Sequence, residues 1–345
     1  GLLIRTGLVV VVLKTGGGLL GLVGADTATG ALIFVASFFC ARHVYPKLSL
    51  RLVSAKIQRL REMWRFGTVT FITRSASEVV YQSDQVILMA FIGPRAVAVY
   101  GVANMLVLYA QRAVEQLAAV LDPSVMKSGG VGDFASLRKT FTWYPRVAFF
   151  IGIPLYVGFI VFGDIFLRLW VGVEFIESVL VLKILSLAEL ASLFAGMGGS
   201  VLFSLGRLRF NLICSSAEAT VNLALTLSLV GWAAMGTMGA AIGTLVATVA
   251  FRGILHPLYS TRAVQMTYKS YFLAIGPRAI GGAILAYVIF TVIRITFEPH
   301  EWFAFAWTVA ASSLIYAVLG AITIFGWQGA GHLIDSVLPL KRRIS

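Results

Sequence analysis

Apolar residues run in long blocks along this chain, and polar residues gather between the blocks. Ten blocks stand out, at 2–15, 20–41, 66–92, 96–120, 145–163, 178–203, 210–230, 236–255, 272–293 and 303–325. A helix needs about 20 apolar residues, at about 1.5 Å rise each, to cross the hydrocarbon core of a bilayer. All but the first block come close to that length. Membrane-spanning strands would instead show alternating segments of about ten residues, and none are present. The pattern predicts an all-α fold, a polytopic bundle of about ten transmembrane helices.

Composition agrees. The 345 residues are 59% hydrophobic and 12% charged, whereas a soluble domain is about half apolar and a quarter charged. No connection is long enough to hold a soluble domain. The chain lacks both the G-x-x-x-x-G-K-[ST] phosphate loop and the G-x-G-x-x-G dinucleotide turn, so nucleotide-driven work by this chain is not expected and no cofactor is implied. Cys40 and Cys214 sit inside apolar blocks with no neighbour at metal-ligand spacing, so neither a disulfide framework nor a metal site is expected. The chain opens at Gly1 and is apolar by Leu2, without the basic start and small-residue cleavage site of a signal peptide. It reads as a piece that begins inside a longer membrane protein.

Charge then sets a topology. Lys and Arg number 28 against 15 Asp and Glu, giving a net charge of +13. Counted with Arg5, 20 basic residues fall on alternate connections, seven of them in 42–65. The intervening connections hold four: Lys14, Arg95, Arg168 and Arg294. The positive-inside rule makes the basic side cytoplasmic, together with the C-terminal tail that carries Lys341, Arg342 and Arg343. Topology and contact with anionic lipids account for these charges, and no nucleic-acid partner is needed. In 47–64, Leu48, Leu52, Ile57, Leu60 and Trp64 recur at near-helical spacing among basic residues. That is the pattern of an amphipathic helix lying on the inner membrane face.

Charges inside the blocks are the candidate chemistry. They are Arg74, Glu78, Asp84, Arg112, Glu115, Lys183, Glu189, Glu218 and Arg278. Lys183 and Arg278 lie near block ends, where a long side chain reaches the interface. On a helix, Arg74, Glu78, Tyr81 and Gln85 share one face within about 60°. Tyr100, Asn104, Gln111 and Glu115 share another, with Arg112 beside it. Polar stripes of this kind face a bundle interior or water. Arg74 and Arg112 fall about 12 Å from the cytoplasmic ends of their helices, and Glu218 is eight residues into its own block. Two readings stand. The pairs Arg74–Glu78 and Arg112–Glu115 neutralise each other and fix packing, or the two arginines line a cavity and bind an anion. Glu78, Glu115 and Glu218 would then tune the site or carry a coupling proton. Asp84, near the outer end of its helix, is assigned a structural or gating role, and Asn222 a helix–helix hydrogen bond. Gly236, Gly239 and Gly243 are expected to allow close helix approach.

Several short stretches carry a resemblance. Asp84-Gln85-Val86-Ile87-Leu88, Gly93 and Tyr100-Gly101-Val102-Ala103 come first. They are followed by Phe162-Gly163 with Leu169-Trp170-Val171-Gly172, by Leu205-Gly206-Arg207, and by Asn222 with Gly236-x-x-Gly239-Ala240-Ala241-Ile242-Gly243-Thr244. Their order resembles the polysaccharide-biosynthesis flippases, of O-antigen type, within the multidrug/oligosaccharidyl-lipid/polysaccharide exporter superfamily. The resemblance implies two six-helix lobes, often with two added helices, in the bacterial inner membrane. Residues 1–42 would then end the N-terminal lobe, 43–65 form a cytoplasmic linker, 66–258 the C-terminal lobe, and 259–345 two added helices and a cytoplasmic tail. It implies a monomeric transporter, not an enzyme, whose partner is a lipid-linked oligosaccharide, a polyprenyl diphosphate sugar. The substrate-binding candidates are Arg74, Glu78, Tyr81, Gln85, Arg112, Glu115 and Glu218. A multidrug exporter or a lipid II flippase of the same superfamily is the alternative, although two cavity arginines suit an anionic cargo better than a cationic drug. A membrane glycosyl polymerase or transferase would need paired carboxylates, often in a large outer loop. The longest outer connection, 164–177, has 14 residues and no such pair.

Overall fold

The structure is a computed structural model and describes residues 2–14, 16, 18–44, 57–297 and 299–337. The described residues are predominantly helical, with no strand among them. The helices are α1 (Leu2–Lys14), α2 (Gly18–Val44), α3 (Ile57–Phe91), α4 (Pro94–Gly130), α5 (Phe134–Trp170) and α6 (Ser178–Ser192). After them come α7 (Gly198–Ser204), α8 (Leu208–Leu227), α9 (Gly236–Thr248), α10 (His256–Ala263), α11 (Tyr268–Phe297) and α12 (Trp302–Val337). Over their described residues, the ten apolar blocks fall on helix apart from short turns. Eight helical stretches among the described residues are long and apolar enough to cross a membrane. The other two blocks fall short for physical reasons. Helix α1 has 13 residues, and α3 carries Arg59, Arg61, Glu62, Arg65, Arg74, Glu78 and Asp84 along its length. The amphipathic segment is described only in part. Residues 47–56 lie outside the described residues, and 57–64 run on without a break as the first turns of α3. The C-terminal basic tail also lies outside the described residues.

Local chemistry sets the helix ends. Asp133 caps α5 by accepting from the Ser136 N–H at 3.0 Å, the usual work of a short carboxylate at that position. The Leu205-Gly206-Arg207 turn is a Schellman cap. Gly206 has φ 69°, its N–H meets the Phe203 carbonyl at 3.0 Å, and the Arg207 N–H meets the Leu202 carbonyl at 2.8 Å. Glycine reaches this left-handed conformation without a side-chain clash. The expected block 178–203 is two helices, α6 and α7, joined through a 3-10 turn at Leu193–Ala195. Two π-helical turns interrupt regular helix, at Ser228–Trp232 and Val249–Leu255.

Two compact units are distinguished, Gly1–Trp64 and Arg65–Ser345. In the first, α1 and α2 pack together, and the Arg5 guanidinium meets the Asp26 carboxylate at 2.7 Å. In the second, α5 is the central helix and packs against α4, α6, α11 and α12. Its inward face buries Leu137, Phe141, Ile153 and Tyr156 completely. Phe162 carries the aromatic contact onward, 5.7 Å from the Phe290 ring of α11 and 6.3 Å from the Phe305 ring of α12. Helix α9 packs between α6 and α8, which brings polar groups from distant parts of the sequence together.

Candidate functional site

Three polar assemblies lie inside the second unit. The first centres on Asp84, which is 1% exposed. Both of its carboxylate oxygens are occupied. Thr226 of α8 donates to Oδ1 at 2.9 Å, Thr244 of α9 donates to Oδ2 at 2.7 Å, and the Tyr100 hydroxyl of α4 also donates to Oδ2. The Asn222 amide of α8 donates to the Thr244 hydroxyl at 2.9 Å. A carboxylate in an apolar medium is tolerable when donors surround it, and here three helices, α4, α8 and α9, supply them to the carboxylate of α3. The helices must come close for this to work. A Cβ at Gly243 would lie 2.9 Å from the Thr226 hydroxyl and 3.1 Å from its backbone nitrogen. The stretch around Tyr100 and the glycine-rich stretch around Thr244 therefore belong to one packing device, with Asp84 as its hub.

The second assembly centres on Glu218 and Arg252. Arg252 sits on the π-helical turn Val249–Leu255 and its Nε meets Glu218 Oε1 at 2.7 Å, with both side chains largely buried. Sequence pattern put Arg252 in a cytoplasmic connection. The structure corrects this, because helix continues from Gly236 through Ala263 and the wide turn carries Arg252 within it. Glu189 of α6 is buried nearby and accepts from the Ser192 hydroxyl at 2.9 Å. A cavity of about 200 Å³ opens beside these groups, lined by Gln111, Glu115, Tyr144, Tyr156, Glu189 and Arg252 among others.

The third assembly is a groove of about 170 Å³ between α3 and α4. Its lining includes Gln82, Gln85, Asn104, Tyr109 and Arg112. Arg112 is exposed and Gln85 half-buried. The groove combines a guanidinium, amides and a phenol. Such groups can hydrogen-bond sugar hydroxyls and pair with a phosphate.

The expected site residues are therefore divided. Gln85 and Arg112 share the α3–α4 groove. Glu115 belongs to the inner cavity, where it accepts from Gln111 at 2.8 Å. The alternative pairing of Arg112 with Glu115 is not formed among the described residues, because the two side chains line separate cavities. Glu218 is held by Arg252 and does not line the groove. Glu78 is exposed on α3. The side chains of Arg74 and Tyr81 lie outside the described residues. The polar stripe on α4 is divided as well, with Tyr100 on Asp84, Asn104 in the groove, and Gln111 and Glu115 at the inner cavity. Sequence reasoning missed Thr226, Thr244, Gln82, Tyr109 and Arg252. Thr226 and Thr244 are four residues from Asn222 and one from Gly243, so the neighbouring polar and glycine positions were a usable signal.

Comparison with known proteins gives one match. Residues 2–127 match the model of a family described as polysaccharide biosynthesis protein. The matched part includes α3, nearly all of α4 and the whole α3–α4 groove. The match spans just over a third of the chain, 126 of its 345 residues. The later stretches of the resemblance, from Phe162 to Thr244, lie beyond the matched residues. No curated protein and no solved structure matches the chain.

Proposed function

We propose that this multi-pass membrane protein, similar over residues 2–127 to the polysaccharide biosynthesis family, moves a lipid-linked oligosaccharide across the bacterial inner membrane by alternating access. The observation that carries the reading is the α3–α4 groove. Arg112 stands exposed on α4, a helix long and apolar enough to cross a membrane, among Asn104 and Tyr109 of the same helix and Gln82 and Gln85 of the more polar α3. A lone exposed guanidinium at that level is costly unless water or an anion meets it. A diphosphate accepts its two-pronged donation, and the flanking amides suit the sugar beside the diphosphate. By sequence pattern Arg74, Glu78 and Tyr81 share the helical face of Gln85 and are assigned to the same cargo path. Glu115 lines the inner cavity and Glu218 acts on it through Arg252, so that both adjust its charge. Asp84 and Asn222 hold α3, α4, α8 and α9 in register while the transporter changes state. No bond is made or broken in the cargo, and the cytoplasmic C-terminus follows from the charge asymmetry.

The test is translocation by the full-length protein in proteoliposomes, read with a fluorescent polyprenyl diphosphate oligosaccharide. A cationic dye and lipid II serve as competing cargoes. Protein-dependent movement of the oligosaccharide lipid, faster than of either competitor, is the expected result. Dye export without lipid movement would make the protein a drug exporter. Preference for lipid II would assign it to that cargo instead.

A further inference from the structure

Two of the four basic residues on the basic-poor face converge on one pocket, although they lie far apart in sequence. Arg168 ends α5 and Arg294 ends α11, and with His300 and Asp164 they line a cavity of about 370 Å³. Among the described residues its remaining walls are apolar, from Ile165, Leu169, Ile295 and Pro299. Arg294 is committed to structure. It donates to the Val161 carbonyl and to Asp164 Oδ2 at 2.7 Å, which ties α11 to α5. That contact cancels the Asp164 charge. Arg168 is exposed and has no ion-pair partner among the described residues, and His300 is exposed beside it. Asp164 Oδ1 is buried without a hydrogen-bond partner, so the pocket wall also holds an unused acceptor.

The pocket's level in the membrane is marked by aromatic residues. Trp170 and Trp302 are both partly exposed and both pack on Phe166, at ring separations of 5.6 and 5.9 Å. Tryptophans in this arrangement sit at headgroup depth, and α5, α11 and α12 all begin or end there. A surplus cation, a histidine and apolar walls at headgroup depth suit a phosphate ester whose tail lies in the bilayer. They do not suit a site built for water alone.

We propose that Arg168, His300 and the Arg294–Asp164 pair form a binding site for a phosphoryl group at the basic-poor membrane interface. Arg168 and His300 contact the phosphoryl oxygens. Asp164 Oδ1 accepts from a hydroxyl of the headgroup, and Ile165, Leu169 and Ile295 flank the start of the lipid chain. The site is separate from the α3–α4 groove and does not depend on the cargo reading. A bound lipid there would fasten α11 and α12 to α5 at their shared end.

The experiment counts lipids retained by the full-length protein after extraction from an equimolar mixture of phosphatidylglycerol and phosphatidylcholine, by native mass spectrometry. The variants are Arg168→Gln with His300→Gln, and Arg95→Gln as a control. Arg95 lies on the same face and pairs with Glu177 at 3.5 Å. The expected result is preferential retention of phosphatidylglycerol by the unaltered protein. Retention falls about tenfold in the double variant, as for the loss of one charge-assisted contact, and is unchanged in Arg95→Gln. Equal retention of the two lipids would overturn the proposal, as would an equal loss in the Arg95→Gln control. Millimolar inorganic phosphate separates the sources. No displacement assigns the phosphoryl group to a lipid, and full displacement with phosphate bound in its place assigns it to a free phosphate ester.

Discussion

Replacing Thr244 by valine keeps the shape of the side chain and removes its hydroxyl. That hydroxyl donates to Asp84 Oδ2 at 2.7 Å and accepts from the Asn222 amide at 2.9 Å. Asp84 keeps the Tyr100 and Thr226 donors, so its loss is partial. Asn222 fares worse. It is fully buried, and its Oδ1 already lacks a hydrogen-bond partner. Hydrogen bonds between membrane helices average about 0.6 kcal/mol, while a stranded buried donor costs about 1–3 kcal/mol. The second effect dominates here because Asn222 has no route to solvent. The predicted cost of Thr244→Val is about 1–2 kcal/mol, a fall in Tm of about 2–6 °C in detergent. Asn222→Ala removes the stranded group, so the double variant should cost about 1 kcal/mol less than the sum of the two single variants. An unchanged Tm for Thr244→Val, or strict additivity, would refute the claim that these residues form one network.

Two further outcomes follow from the packing. Arg252→Met leaves Glu218 buried beside Glu189 without its cation and should cost about 3–5 kcal/mol. This would be seen as loss of a monodisperse peak in size-exclusion chromatography, and adding Glu218→Leu should restore most of it. Gly243→Ala drives a Cβ against Thr226, whereas a Cβ at Gly24 meets nothing within 4 Å. The first should lower Tm, at a cost of about 1–3 kcal/mol, and Gly24→Ala should leave it level or slightly higher.

How much of this was legible in the sequence differs by scale. Long apolar blocks translate directly into helices, because a span must satisfy its own backbone hydrogen bonds. That is why the described parts of the blocks fall on helix apart from short turns. Element ends were harder to read. The wide turn at Val249–Leu255 has no strong local signature, so Arg252 was assigned to a connection when it pairs with Glu218. Helical periodicity placed Tyr100, Asn104, Gln111 and Glu115 on one face of α4. It could not show that three different neighbours divide that face. Asp84 could be recognised as a buried charge, but its threonine partners are 142 and 160 residues away. Asn222 and Gly243 mark where the two threonines lie, but nothing in the local sequence says that their hydroxyls meet Asp84. The Leu205-Gly206-Arg207 turn was readable because left-handed backbone demands glycine at one fixed place.

The central claim is that cargo passes along the α3–α4 groove and meets Arg112. The measurement that tests it most directly is the initial rate of oligosaccharide-lipid flipping by the Arg112→Gln and Arg112→Lys variants, with Tm recorded on the same samples. Arg112 is exposed, so neither change should alter stability. The account predicts a rate about tenfold lower for glutamine, the loss of one charged contact. Lysine should be intermediate, keeping the charge without the planar fork. A glutamine variant that flips at the unaltered rate, or that loses flipping only in step with a falling Tm, would contradict it.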